Sequence, residues 1–187
     1  MTPRFVYPPL VEAVFHRTLR TRLDEGARAR LRALGIDVDA APDLMPGGVF
    51  HAGLRLAAAA AFPELTAEAA ERRTGALACR VYAELDAGRM ILAPGGTFGP
   101  VGMLADAAAY FQTGMNYFDV SSTVVSPTSV VVRIRPLDEG KEFWGGVLEE
   151  VAKLGGAVGV TVELEAAGRE VRYTVRWSGV SAPPRAE

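Results

Sequence analysis

The sequence contains few of the residues that disulfides, metal sites and nucleophilic triads require. Its 187 residues include one cysteine, Cys79, and two histidines, His16 and His51. A single cysteine excludes an intrachain disulfide framework and a cysteine-rich zinc site. Two histidines leave little material for a histidine-based metal site or a catalytic triad. We therefore expect a chain that folds on its hydrophobic core and holds neither metal nor cofactor.

The sequence also lacks a charge excess and a long apolar run. Its 20 basic and 22 acidic side chains give a net charge of -2, whereas nucleic-acid binders usually carry a basic excess. The longest apolar stretch, residues 54–62, is interrupted by Arg55 and is far shorter than the roughly 20 residues of a membrane span. Three prolines in the first nine residues do not fit a signal peptide. We expect a cytoplasmic protein that binds no nucleic acid and has no membrane span.

Residue usage changes once along the chain. Alanine is dense up to Ala109 and then absent until Ala152, while valine and threonine cluster from Val120 onward. Helices followed by strands indicate an α+β fold. We predict a single domain over residues 1–180, in which a helical bundle (about 10–115) packs on an antiparallel sheet of about four strands interrupted by one helix (about 116–178). Residues 181–187 are expected to form a disordered tail.

Hydrophobic periodicity and end signals place the helices of the first half. The predicted helices cover residues 10–23, 24–34, 49–61, 67–87 and 101–113. Asp24 and Thr66 are candidate N-caps. In the longest helix, an apolar face is predicted at Ala70, Leu77, Val81 and Leu85. Gly88, Pro94, Gly95 and Gly96 are expected to break the chain after it.

The second half alternates apolar and polar residues in the manner of strands. Strands are predicted at residues 130–135, 158–165 and 171–177, with a helix at 141–154. The helix should bury Phe143, Val147, Val151 and Leu154 and turn Glu149, Glu150 and Lys153 outward. A four-residue turn at residues 166–169 would pair Leu164 with Val171, and would set Glu163 opposite Arg172.

Aromatic side chains and the lone thiol supply the candidate binding residues. The aromatic residues cluster as Tyr110, Phe111, Tyr117, Phe118, Phe143 and Trp144. They either fill the core between helices and sheet or line an apolar ligand cavity there. Cys79, in the middle of the longest helix, is either a buried inert thiol or a reactive, acylated thiol in that cavity. The candidate ligand-binding residues are Cys79, Tyr82, Phe111, Phe143 and Trp144.

Other motifs have competing explanations. The glycine-rich segment 95–102 precedes a predicted helix and could cradle a phosphate, but it lacks a Walker lysine and Pro100 removes a donor. His51 could contact Asp43, and His16 lies beside Glu12 and Arg20 on a polar helix face. The carboxylates Asp37, Asp39, Asp43 and Glu64 have no spacing that demands joint catalysis, so we expect no enzyme.

Three segments of the second half resemble a known family. A strand ending in Arg135-Pro136-Leu137 precedes the helix segment Phe143-Trp144-Gly145-Gly146-Val147-Leu148-Glu149, and a hairpin then closes on Tyr173-Thr174-Val175-Arg176-Trp177. The chain resembles a paralogous family of unknown function expanded in myxobacteria. More distantly, it is similar to a superfamily of haem-nitric-oxide-binding domains, 4-vinyl-reductase-like domains and the Bet-type subunits of the TRAPP tethering complex.

The resemblance implies an apolar ligand pocket and dimerisation through helices. The chain departs from the haem domains, because it lacks their Tyr-x-Ser-x-Arg motif and has no histidine where their proximal ligand would be expected. The closing hairpin, with residues 166–169 at its turn, also lacks the cysteine that vinyl-reductase-like domains often carry there. The resemblance therefore implies a pocket without haem.

Two functions follow as expectations. The first is a non-enzymatic ligand-binding or sensory module that holds a small apolar molecule between helices and sheet. The alternative is a homodimeric protein-interaction or scaffold module with no small ligand, in which the helix at residues 10–23 or 49–61 supplies the interface.

Overall fold

In the computed structural model, which describes residues 3–96 and 98–181, a helical first part is followed by an antiparallel sheet. The helices are α1 (Pro8–Val11), α2 (Glu25–Ala33), α3 (Gly47–Ala61), α4 (Ala67–Glu84), α5 (Asp86–Gly96), α6 (Gly99–Ala105), α7 (Ala107–Gly114) and α8 (Lys141–Leu154). The strands are β1 (Phe5–Val6), β2 (Met45–Pro46), β3 (Asp119–Ser126), β4 (Ser129–Arg135), β5 (Ala157–Val158), β6 (Thr161–Ala167), β7 (Glu170–Arg176) and β8 (Gly179–Val180). The predicted α+β fold is confirmed.

The first predicted helix exists but changes its pitch along its length. α1 continues as a π-helical segment, Glu12–Leu19, and ends in a 3-10 turn, Arg20–Arg22. Phe15 and Leu19 of this segment are fully buried. Just before it, β1 pairs with β2, and this contact was not predicted because two-residue strands carry no periodic signal.

The longest helix, α4, begins as predicted but buries a different face. The Thr66 side chain caps it by accepting a hydrogen bond from the Ala69 amide at 3.3 Å. The fully buried positions are small or polar: Ala70, Thr74, Gly75, Ala78 and Cys79. The predicted face was wrong at Leu77, Val81 and Leu85, which are half-buried. Small residues take the central positions because α8 approaches α4 closely there.

The predicted break after α4 was also wrong. The chain turns at Leu85 and resumes helical structure as α5, which includes Gly88. A Cβ at Gly88 would overlap the carbonyl oxygen of Tyr82. Gly88 therefore allows two helices to approach each other, a role that local sequence does not distinguish from breaking a helix. The predicted helix at 101–113 is in fact two, because α6 ends before Asp106 and α7 begins after it.

Strands β3, β4, β7 and β6 form one antiparallel sheet in that order. The predicted hairpin register was wrong by two residues: Leu164 lies opposite Tyr173, not Val171, and Glu163 lies opposite Thr174, not Arg172. Gly168, with φ of +59°, allows a two-residue turn in place of the predicted four. A shift of two keeps every apolar side chain on its face, so periodicity could not choose between the two registers.

Helix α8 packs against both the sheet and α4. The Tyr173 hydroxyl on β7 donates to the Lys141 carbonyl oxygen at 2.7 Å and fixes the start of α8 over the sheet. The outward position predicted for Glu150 was wrong, since this residue is 4% exposed and pairs with Arg80 of α4. The predicted burial of Leu154 was wrong as well, because it is 40% exposed.

One hydrophobic core joins the helices to the inner face of the sheet. Its largest fully buried side chains include Phe15, Phe50, Phe143 and Tyr173. Ser181, the first residue of the predicted tail, donates its amide to the Gly156 carbonyl oxygen at 2.8 Å, and the rest of that tail lies outside the described residues. Across the described helices, none has the length and hydropathy that a membrane span would need.

Candidate functional site

An apolar cavity of about 60 Å³ lies among the helices. Its walls are formed by Leu10 of α1, Ala78, Cys79 and Tyr82 of α4, Ile91 and Leu92 of α5, Ala107, Tyr110, Phe111 and Gly114 of α7, the adjoining Met115, and Trp144, Val147, Leu148 and Val151 of α8. No strand residue occurs among these described wall residues. The sequence placed the pocket between helices and sheet, whereas this cavity lies between helices.

Helical spacing brings the wall residues together. Cys79 and Tyr82 are three residues apart and share one face of α4, and Val147 and Val151 are four apart on α8. On α7, Tyr110 and Gly114 repeat the same spacing, and the glycine leaves room for Leu10. Each helix thus presents one apolar stripe to a shared interior space.

The structure places four of the five predicted ligand-binding residues on this cavity. Cys79, Tyr82, Phe111 and Trp144 line it. Phe143 does not belong to its walls: the side chain is fully buried and meets the Phe50 ring edge-on, with 6.1 Å between ring centroids. Phe143 therefore packs in the core beside the cavity.

The Cys79 thiol is a neutral wall group. Burial, and next the nearby Glu150 carboxylate, raise the pKa of Cys79 to about 12. Because only the thiolate is a strong nucleophile, Cys79 at neutral pH behaves as a small apolar side chain. This favours the inert-thiol interpretation over an acylated thiol.

The Tyr82 hydroxyl is held in a short hydrogen-bond chain across two helices. Thr113 Oγ1 donates to the Tyr110 carbonyl oxygen at 2.7 Å. Since that proton is engaged, the Tyr82 hydroxyl donates to Thr113 Oγ1, 3.0 Å away. Burial raises the pKa of Tyr82, so the phenol stays neutral and ties α4 to α7 beside the cavity.

Trp144 is the wall residue with an unused donor. Its side chain is 3% exposed, and its indole Nε1 has no hydrogen-bond partner among the described residues. The rings of Phe111, Phe143 and Phe118 surround it at centroid distances of 4.7, 4.8 and 5.6 Å. The indole thus lies in an aromatic enclosure that offers no oxygen or nitrogen acceptor.

Sequence reasoning missed most of the aliphatic wall. Leu10, Ile91, Leu92 and Met115 look like ordinary core residues, and nothing in their spacing distinguishes a wall from a filled core. Gly114 was the one usable signal, because a glycine at a helix end can mark a close contact. Its hypothetical Cβ would lie 3.1 Å from Leu10 Cδ2.

The two histidines lie away from the cavity. His51 Nε2 and the Tyr117 hydroxyl are 3.1 Å apart, so Tyr117 is its partner and not Asp43, as the sequence had suggested. Burial lowers the pKa of His51 to about 4. His16 is half-buried, and burial lowers its pKa as well. Both rings are therefore largely neutral at neutral pH.

As far as they lie within the described residues, the remaining sequence motifs form no second site. Within the part of the chain that the structure describes, no three His, Cys, Asp or Glu residues gather as metal ligands would. Asp39, one of the carboxylates considered above, pairs with Arg20 at 2.9 Å and Arg28 at 3.1 Å. The glycine-rich segment lies partly outside the described residues, and the helix that follows it, α6, has only seven residues.

The fold is similar to that of solved H-NOX structures. An Fe(II) unliganded H-NOX mutant from K. algicida aligns with a TM-score of 0.67 at 10% identity, covering 92% of this chain and 97% of that chain. An H-NOX mutant from T. tengcongensis aligns with a TM-score of 0.65 at 12% identity, covering 92% of this chain and 98% of that chain. An oxygen-binding H-NOX domain related to soluble guanylate cyclases aligns with a TM-score of 0.63 at 10% identity, covering 96% of this chain and 100% of that chain. The distant resemblance to haem-nitric-oxide-binding domains is therefore confirmed at the level of the fold.

The cavity residues do not fit a haem, the group whose redox potential another of the similar solved structures concerns. Haem iron is held by histidine, cysteine thiolate, methionine or tyrosine. The described wall residues include one methionine, Met115, but no histidine to share the iron with it. The Cys79 thiol is neutral, and the Tyr82 and Tyr110 hydroxyls donate to Thr113 and to the Met103 sulfur. A cavity of about 60 Å³ without a charged wall residue has neither the space for a porphyrin nor cations for its propionates.

The chain also matches a sequence family. No curated protein sequence matches it. The predicted resemblance to a family of unknown function is confirmed by a family model that covers residues 4–178. The chain belongs to the family described as "Protein of unknown function (DUF2378)".

Proposed function

We propose that this protein is a non-enzymatic ligand-binding module that senses a small apolar molecule in the cavity among α1, α4, α5, α7 and α8. The observation that carries the proposal is the cavity itself, an apolar space of about 60 Å³. Close packing normally leaves few voids larger than a water molecule. An apolar cavity stays dry and binds apolar guests such as xenon.

The wall chemistry favours binding over catalysis. A nucleophile needs an activating base, and both the Cys79 thiol and the Tyr82 phenol are neutral groups whose pKa is raised by burial. No histidine and no carboxylate occurs among the wall residues that the structure describes. Such a wall can hold an apolar guest and keep water away from it. A sensor of an apolar molecule requires both.

Helix α5 connects the cavity wall to the protein surface, so it could transmit a change in cavity occupancy. Helix α5 contributes Ile91 and Leu92 to the wall, while Met90 beside them is 80% exposed. A guest that fills the cavity would press on α5 and move its outer face. The signal would thus be a displacement of α5 relative to α4 and α7.

Xenon binding tests the proposal, with two alanines of α7 as a matched pair. Ala107 lies on the cavity wall, and Ala109 is exposed on the same helix. Ala107→Val should fill the cavity and weaken xenon binding about tenfold, whereas Ala109→Val carries the same loss of helix propensity and should leave binding unchanged. The readout is the shift of backbone amide NMR signals of Cys79 and Tyr82 under xenon pressure.

Two results would contradict the proposal. The first is the absence of xenon-dependent shifts around the cavity in the folded wild-type protein. The second is equal weakening by Ala107→Val and Ala109→Val, which would place xenon elsewhere. Native mass spectrometry of the purified protein complements the titration, because a guest retained from the cell would add mass that is lost on denaturation.

A homodimeric interaction module without a ligand is the second candidate. The predicted interface in α3 is partly used inside the domain, because Ala57 and Ala58 are fully buried. The observation that favours self-association is a different one: the large exposed hydrophobic side chains include Phe98, Leu154, Val158 and Val180. A bare monomer in native mass spectra at micromolar concentration would exclude this candidate.

A further inference from the structure

We propose that the free edge of β3 is an interaction surface for a second copy of this chain, whose own β3 pairs antiparallel to it about a two-fold axis at Ser122. The sheets of the two copies would then join into one continuous sheet. This inference goes beyond the proposed function, because it assigns a partner to a surface far from the cavity walls. It holds whether or not a guest occupies the cavity.

The outer side of β3 carries main-chain groups that no described element uses. β3 is the first strand in the order β3-β4-β7-β6, so β4 is its one neighbour among the described strands. Outside that pairing, the described residues make no main-chain hydrogen bond to β3. Ser121, Thr123 and Val124 are exposed. An open edge of this kind is a template for a further strand.

The two edges of the sheet differ in charge. The edge strand β6 carries Glu163 and Glu165, whose side chains are 67% and 75% exposed. Two copies of β6 related by a two-fold axis would bring these carboxylates together, which is unfavourable. β3, in contrast, has no charged residue and no proline between Val120 and Ser126. The charge pattern therefore permits self-pairing at β3 and opposes it at β6.

The inward-facing residues of β3 are self-complementary about Ser122. The Ser122 hydroxyl donates to the Leu104 carbonyl oxygen of α6 at 2.8 Å, so this side chain faces the helices. Val120 and Val124 share that face by alternation. A two-fold axis through Ser122, perpendicular to the sheet, sets Val120 of each copy opposite Val124 of the other. Val124, which is 50% exposed in the single chain, thus gains an apolar neighbour.

The outward-facing residues match in the same register. Ser121 of each copy lies opposite Thr123 of the other, and cross-strand pairs of hydroxyl side chains are favourable. Moving the axis by one residue in either direction would set a valine opposite Ser122. The pairing of β3 with β4 becomes irregular between Val124 and Ser126, so the regular part of the edge is centred on Ser122 as well.

Sedimentation velocity of the wild-type protein and of charged variants tests the surface. Main-chain hydrogen bonds supply the affinity in strand addition, so we expect a monomer–dimer equilibrium in the micromolar range. Ser121→Lys combined with Thr123→Lys places lysine opposite lysine and should weaken the dimer about tenfold or more. The matched control is Thr161→Lys combined with Ala167→Lys, which adds the same charge to exposed positions of β6 and should leave the dimer unchanged.

A variant of opposite charge separates repulsion from loss of folding. Ser121→Glu combined with Thr123→Glu should also dimerise poorly with itself. An equimolar mixture of the lysine and glutamate variants should form a heterodimer, because every pair of substituted positions then joins opposite charges. Native mass spectrometry identifies the heterodimer by its mass. A misfolded variant would not regain a partner in this way.

Cysteine cross-linking tests the register. Directly opposite residues of antiparallel strands lie close enough for a disulfide, whereas diagonal neighbours, at about 7–8 Å, do not. A mixture of Ser121→Cys and Thr123→Cys proteins should therefore cross-link on oxidation, and Ser121→Cys alone should not. The native thiol, Cys79, is buried and should not contribute.

Four results would overturn the inference. They are a monomer throughout the micromolar range, equal weakening by the β3 variant and its β6 control, no heterodimer on mixing, and cross-linking of Ser121→Cys alone as strong as that of the mixture. None of them concerns the cavity, which xenon tests independently. A dimer that depends on β3 in a protein that binds no xenon would overturn the proposed function and support this inference.

Discussion

Helices α4 and α8 take part in two regions that differ in packing. One is their direct contact, and the other is the cavity beside it. At the contact, a Cβ on Gly75 would overlap the Phe143 carbonyl oxygen, and one on Gly146 would overlap the Arg72 carbonyl oxygen. The helix backbones therefore touch. At the cavity, α4 presents Cys79 and Tyr82, and a space of about 60 Å³ remains.

The difference shows how one helix pair combines close packing with an unfilled space. Glycines at the contact remove the side chains that would separate the backbones, so the two helices are fixed there by direct main-chain packing. The walls of the cavity are also formed by α1, α5 and α7. Close packing at the contact and an unfilled space beside it thus occur on the same two helices.

The largest expected effect comes from adding a side chain to the glycine contact. Gly146→Ala should destabilise the protein by about 3 kcal/mol or more, because overpacking against backbone cannot be relieved by rotation of a side chain. Thermal or urea unfolding measures the change. The neighbouring Gly145 provides the control.

Gly145→Ala adds the same methyl group to the same helix. Its Cβ would lie 3.5 Å from Arg72 Nη1, an ordinary contact distance. Since alanine is the better helix former, this variant should be neutral or slightly more stable. Equal destabilisation by both substitutions would show that helix α8, and not the contact at Gly146, is sensitive to alanine.

A smaller effect is expected at the ion pair that spans the two helices. Arg80 Nη2 and Glu150 Oε2 are 3.0 Å apart, and the Glu150 side chain is 5% exposed while that of Arg80 is 55% exposed. Arg80→Met leaves a buried carboxylate without its partner and should cost about 2 kcal/mol, less than for a fully buried pair because water reaches the arginine side.

The double variant Arg80→Met, Glu150→Gln sharpens this prediction. It removes both charges, so most of the lost unfolding free energy should return. A double variant as unstable as Arg80→Met would mean that Arg80 acts through the packing of its aliphatic stem and not through its charge.

The last effect concerns pH at His51, beside the N-terminal end of α8. A Cβ on Gly140, the N-cap of α8, would lie 3.0 Å from His51 Nδ1, and burial lowers the pKa of His51 from 6.5 to about 4. The unfolded chain therefore binds the proton more readily, so the contribution of neutral His51 is complete above pH 6.5 and is lost as the pH falls to 4. We expect a loss of about 2–3 kcal/mol over this range.

Urea unfolding at several pH values measures this slope. His51→Gln removes the titrating ring, so its unfolding free energy should fall less steeply between pH 6.5 and 4 than that of the wild type. A parallel pH dependence in the two proteins would contradict the assignment to His51.

Much of the fold could be predicted from local patterns. Thr66 and Asp24 cap their helices as expected, since capping depends only on the residues of one turn: the Asp24 carboxylate accepts from the Ala27 amide at 2.7 Å. The hairpin faces were also predictable from alternation. Its register was not, because a shift of two residues conserves both faces and only the turn at Gly168 decides between them.

The candidate site was less predictable than the fold. Cys79, Tyr82, Phe111 and Trp144 were singled out as an aromatic and thiol cluster, and the structure places all four on one cavity; their role in binding stays a prediction. Phe143 belongs to the same sequence cluster but packs in the core beside the cavity and not on its wall, because neighbouring residues on a helix point in directions about 100° apart.

The sequence by itself determined the fold class, the change from helices to strands along the chain, and the N-caps Asp24 and Thr66. These features depend on periodicity and on short-range hydrogen bonds, which a few neighbouring residues specify. Only the tertiary structure decided that Gly88 lies inside a helix contact, that Glu150 is buried against Arg80, and that a cavity remains beside Trp144. Each of these depends on the distance between elements far apart in the chain, and local composition carries no information on that distance.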